Sequence, residues 1–123
     1  MGGIDGHAGL FGSAADVARL ISTLLSDHRG QSGQSFFNSD LIQVFWSRQT
    51  PSGRALGFDM PSTDGASCGH FFPKTTVGHL GYTGTSFWID PERSIFIVLL
   101  TNRVHPSRFN VGIRKFRLSL IHI

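Results

Sequence analysis

The clearest periodicity lies near the start of the chain. Val17, Leu20, Ile21, Leu24 and Leu25 recur at i, i+3, i+4, i+7 and i+8, one stripe of an amphipathic helix. Ser13 precedes the stripe and Asp16 follows three residues later, the pattern of a capping box. Gly30, just after Asp27-His28-Arg29, supplies a stop. A second, shorter helix is expected from Asn38 or Ser39, with Leu41, Ile42, Phe45 and Trp46 on one face. Pro51-Ser52-Gly53 then breaks the chain, and Arg54–Met60 reads as a short strand. Small and polar residues from Pro61 to Thr76 suggest an excursion over the surface.

Downstream the period changes to two. Thr85 to Ile89 alternates, and Asp90-Pro91-Glu92-Arg93 suits a type I turn, with Asp at i and Pro at i+1. Ile95 to Leu100 is continuously apolar, which predicts a strand covered on both faces. Val111, Ile113, Phe116, Leu120 and Ile121 are placed to line a closing helix. Two helices, an antiparallel hairpin and a final helix make an α+β domain. At 123 residues the chain suits one core. Its opening dozen residues, with five glycines, form an irregular loop with few anchors, so the chain reads as cut from something longer.

Charge changes this picture little. The formal net charge is +3, but Arg103, Arg108, Arg114, Lys115 and Arg117 all follow the last acid, Glu92. Basicity is thus a property of the C-terminal segment. A solvated face of a basic helix explains it without a nucleic-acid partner, and none is expected. No apolar run is long enough to span a membrane, and "MGGIDGHAGLFG" lacks the make-up of a signal peptide. The single cysteine, Cys68, excludes an internal disulfide and reads as an incidental loop thiol.

Candidate chemistry narrows to one histidine. The six histidines form no His-x-His or His-x-x-x-His pair, and no Cys-x-x-Cys exists, so no metal site or other cofactor is expected. Asp90 and Glu92 are accounted for by the turn. His79 stands apart because Gly78, Gly81 and Gly84 surround it, with Thr83 and Thr85 adding hydroxyls. Such a segment can bring backbone N–H groups close to a developing oxyanion while the imidazole shares a proton. The same glycines also suit a tight turn before a hairpin, and spacing alone favours that plainer reading. His7, Asn102, Arg103, His105 and Arg108 are better read as loop, capping or surface residues, and Trp46 and Trp88 as packing anchors.

Residues 2–117 carry a resemblance in the right order. "GGIDGHAGLFGSAADVARL", "LGFDM" and "GHLGYTGTSFWIDPE…IVLLTNR" resemble the Gly-rich loop and helix, the preceding strand and the last motif region of the serine beta-lactamase-like hydrolases. That superfamily includes class C beta-lactamases, D-alanyl-D-alanine carboxypeptidases and related esterases. In it, a sheet strand carries Lys-Thr-Gly or, in many esterase-like members, His-x-Gly, which His79-Leu80-Gly81 matches. The resemblance implies that His79 faces the catalytic serine and that Gly81 lets the substrate lie along the strand. The N–H of Tyr82 would be one of two oxyanion donors, with Thr83 and Gly84 beside the substrate. It also implies a small ester, amide or peptide substrate, no cofactor, and an extracytoplasmic setting for the intact protein.

Two family elements are missing from this sequence. Only Lys74 and Lys115 are lysines, with Phe71 and Gly112 three residues before them, so there is no Ser-x-x-Lys. No Tyr-x-Asn or Ser-x-Asn element is present either. The expectation is therefore the C-terminal portion of a serine hydrolase, inactive alone; the alternative is a non-catalytic binding or structural module of the same fold. Leu118–Ile123 back-translates to a sequencing-adapter sequence and is expected to be a non-native tail.

Overall fold

The computed structural model describes Asp5, residues 7–62 and residues 66–121. Helix α1 spans Ala14–His28, and its start is the capping box that the sequence implied. The Ser13 hydroxyl accepts from the Asp16 N–H at 3.3 Å, and the Asp16 carboxylate accepts from the Ser13 N–H at 2.9 Å. At its end Gly30 has φ +63. Gly30 N–H reaches Asp27 O and Gln31 N–H reaches Ser26 O, both at 3.0 Å, the paired bonds of a Schellman motif. Helix α2, Ser39–Trp46, starts from Asn38, whose side chain accepts from Leu41 N–H at 3.0 Å. Its buried face is narrower than expected: Ile42 and Trp46 are buried, whereas Leu41 and Phe45 are exposed. An eight-residue helix has a single stripe, Ile42 and Trp46, that joins the core formed by α1 and the sheet.

Strands β1 (Val77–Leu80), β2 (Ser86–Asp90) and β3 (Ile95–Leu99) form an antiparallel meander in that order. Helix α3, Ile113–Ile121, closes the chain. The α+β architecture thus stands, with one strand more than the expected hairpin. Arg54–Met60 is not a strand: it contributes one bridge, in which Asp59 and Gly78 exchange bonds of 2.6 and 2.9 Å. Asp90 closes the β2–β3 turn by accepting from the N–H groups of Glu92 (3.0 Å) and Arg93 (3.1 Å).

Strand register sorts the side chains. Val77, His79, Phe87, Ile89, Phe96 and Val98 share one face. On it Val77 and Ile89 pack with Ile21 and Leu25 of α1 and Ile42 and Trp46 of α2, and Phe58 stands edge-on to both Trp46 and Phe87. Leu80, Trp88, Ile97 and Leu99 take the other face. β3 is not covered on both faces as its composition suggested. Ile95 is 52% exposed and the remaining positions are half-buried, because β3 is an edge strand of the described sheet. The presumed surface excursion also turns inward: Cys68 and Thr76 are fully buried. Among the described residues, no helix is long and apolar enough to cross a membrane.

Candidate functional site

β1 delivers His79 to the sheet face that α1 and α2 pack against, but near the end of the strand, where the imidazole remains exposed. Beyond Leu80 the chain turns tightly. Gly81 N–H donates to Thr85 O at 2.8 Å, and Gly84 N–H donates to Gly81 O at 3.0 Å. The second bond fixes the Gly81–Tyr82 peptide plane and leaves the Tyr82 N–H without an acceptor among the described residues. Gly84 sits at φ +108, a conformation that favours glycine. The room these glycines leave is taken by neighbours in the same chain. A Cβ at Gly78 would strike the Trp88 ring, and one at Gly81 would strike the Thr85 hydroxyl. Packing is therefore a sufficient reason for both glycines, where the sequence had suggested space for a substrate.

Two arginines hold the turn in place. Arg103 Nε donates to Tyr82 O at 2.9 Å, its backbone N–H donates to Thr83 O at 2.7 Å, and its guanidinium lies 5.0 Å above the Tyr82 ring. Its Nη1 anchors the arrangement to the carbonyls of Arg108 and Asn110, at 3.0 and 3.1 Å. Arg117 comes from α3 and donates through Nη2 to Gly84 O (3.0 Å) and Thr85 O (2.9 Å). Every carbonyl from Tyr82 to Thr85 thus accepts from one of these two residues. Burial, and then the nearby Arg103 charge, pulls the Arg117 guanidinium below its ordinary pKa.

A beta-lactamase family model matches residues 1–120. The chain belongs to the beta-lactamase family. Among proteins bearing the name D-alanyl-D-alanine carboxypeptidase, that of Escherichia coli strain K12 is 35% identical over 108 residues, which is 85% of this chain and 25% of the relative. The Salmonella typhi protein is likewise 35% identical, over 109 residues with the same coverage. The crystal structure of a beta-lactamase from Mycobacterium bovis superposes with a TM-score of 0.61 at 20% identity, covering 91% of this chain and 45% of that one. That similarity establishes the beta-lactamase-like fold. The chain spans about a quarter of the length of the curated relatives.

Within this family frame His79, Gly81, Tyr82, Thr83 and Gly84 are brought together on β1 and the turn after it. His7 is exposed in the N-terminal loop, its backbone N–H bonded to the Asp5 carboxylate at 3.3 Å. His105 and Arg108 lie at the surface. Arg103, expected as a loop, capping or surface residue, reaches Tyr82 from beyond the end of β3, with β2 lying between β1 and β3. Arg117, expected on a solvated basic face, is only 8% exposed. Its position was readable: Ile113, Arg117 and Leu120 follow i, i+4, i+7, so the arginine lies within the helix's apolar stripe.

Proposed function

We propose that this chain is the substrate-strand portion of a serine hydrolase that works through an acyl-enzyme, with peptides ending in D-alanine or small esters as substrate class. The observation carrying this reading is the unpartnered Tyr82 N–H directly after His79-Leu80-Gly81 in a beta-lactamase-family chain. A serine in the rest of the protein would attack the substrate carbonyl and expel the amine or alcohol. The Tyr82 N–H would donate to the oxygen as it gains charge, and His79 would share a proton or orient the substrate carboxylate. Arg103 and Arg117 fix the carbonyls of the turn, so this N–H would be held in position before the reaction begins. The names of the relatives favour a peptidase over a beta-lactam-hydrolysing role.

The absence of Ser-x-x-Lys in residues 1–123 means that this chain alone should turn over nothing by that route. The test is to recover the coding sequence upstream and assay the extended protein with a chromogenic ester, a D-alanyl-D-alanine peptide and a beta-lactam. Turnover of ester or peptide is expected, falling about 100-fold in His79→Ala. An upstream region without a serine–lysine pair would favour a non-catalytic module instead. Undiminished turnover in His79→Ala would remove that residue from the site.

A further inference from the structure

A cavity of about 500 Å³ lies between α3 and the turn after β1, within the size range of small-molecule sites. Arg103, Arg114 and Arg117 border it, Tyr82 adds an aromatic edge, and Leu80 and Val111 supply apolar wall. No carboxylate borders it among the described residues, and none of the three arginines is in an ion pair there. Arg117 is more than nine-tenths buried, and its two acceptors are neutral carbonyls. Its Nε is buried with no hydrogen-bond partner. A buried cation beside a second cation, with an idle donor and no counter-charge among the described residues, is costly unless an anion joins it.

We propose that this cavity binds a small organic carboxylate. The carboxylate lies against Arg103 and Arg117, the Arg114 guanidinium flanks it, and a hydrocarbon body rests on Leu80 and Val111. Planar guanidinium groups match a carboxylate's paired oxygens. The volume and the apolar wall favour an acid with several carbons over a bare inorganic anion. Because neighbouring strand residues face opposite ways, Leu80 looks out on the side of the sheet opposite His79, while Gly81 and Tyr82 border both this cavity and the proposed active site, so the two share that turn as a wall.

The test uses the 123-residue chain with ¹⁵N-labelled arginine, following Arg Nε–H resonances by NMR as 4-methylpentanoate is added. A saturable shift of the Arg117 signal is expected, with the neutral 4-methylpentanamide binding at least about tenfold more weakly. Inorganic phosphate should also bind more weakly than the acid. Arg114→Gln should weaken the acid about threefold to tenfold while leaving the urea midpoint unchanged. An unsaturable response, equal binding of acid and amide, tighter binding of phosphate, or unchanged affinity in Arg114→Gln would each overturn the proposal.

Discussion

Arg117 joins the closing helix to the turn after the motif strand, its Nη2 reaching Gly84 O at 3.0 Å and Thr85 O at 2.9 Å. Replacing it by leucine removes the charge but strands two carbonyls that the fold has largely withdrawn from water. The expected loss is about 2 kcal/mol, read as a lower urea midpoint. Arg117→Lys should recover part of this loss, because one ammonium can still serve one of the carbonyls. Equal stability of Arg117→Leu and wild type would show that water satisfies both.

Gly78 and Trp88 face each other in register across β1 and β2, and the indole together with the Phe87 carbonyl oxygen occupies the space where a Cβ would stand. Gly78→Ala should therefore cost about 1–3 kcal/mol and alter the near-ultraviolet circular dichroism of the tryptophans. In a Trp88→Leu background the same alanine should cost less but keep part of its cost, since the ring is gone while the Phe87 carbonyl oxygen stays. Additive losses would place the strain elsewhere.

These two cases mark what the sequence disclosed. Both helix starts and the Gly30 stop were legible because caps act over three or four residues. The type of β2, β3 and α3 was legible from short-range periodicity. Burial was not, since it depends on what lies across the sheet. β3 reads as a central strand by composition but is half-exposed as an edge. Gly78, Gly81 and Gly84 suggested room for a ligand because one sequence cannot show Trp88, Thr85 and Thr101 arriving to fill it. Arg103 and Arg117 looked like solvated charges because the carbonyls they hold are far away along the chain.

Cys68 should be inert in the folded chain. Its side chain is fully buried, and burial pushes the thiol up to about 11, so little thiolate exists near neutral pH. Iodoacetamide at pH 8 should label it only in denaturant, with mass spectrometry reading the adduct. Rapid labelling without denaturant would mean that the segment around it opens readily.

Asp27, at the end of α1, collects the loop leading to α2. It accepts from the Ser32 hydroxyl and from the N–H groups of Phe37 (2.8 Å) and Phe36 (3.0 Å). The Ser32 bond first, and then the two backbone donors, hold its carboxyl below the ordinary 3.8. A depressed carboxylate stabilises the fold above the unfolded value, and the contribution is lost as pH falls through the folded one. Asp27→Asn should therefore lower the urea midpoint at pH 7, and the wild-type and variant midpoints should converge as pH drops below 3.8. Parallel curves down to pH 2 would refute the assignment.

His28 gives the opposite ring chemistry a similar slope at higher pH. Its imidazole lies tilted by 34° with its centre 5.0 Å from the Trp46 ring, and its Nδ1 is buried without a partner among the described residues. Burial, and then the adjacent Arg29 charge, lowers its pKa from the ordinary 6.5. The unfolded chain then takes up a proton before the folded chain does, so stability is undiminished above 6.5 and declines as pH falls from there toward the folded value. This window lies above that of Asp27, which separates the two effects. Urea midpoints measured between pH 7.5 and 4.5 should decline in the wild type, and His28→Gln should flatten the His28 share of that decline. An unchanged slope in His28→Gln would assign the loss to another group and leave the Trp46 contact a matter of packing alone.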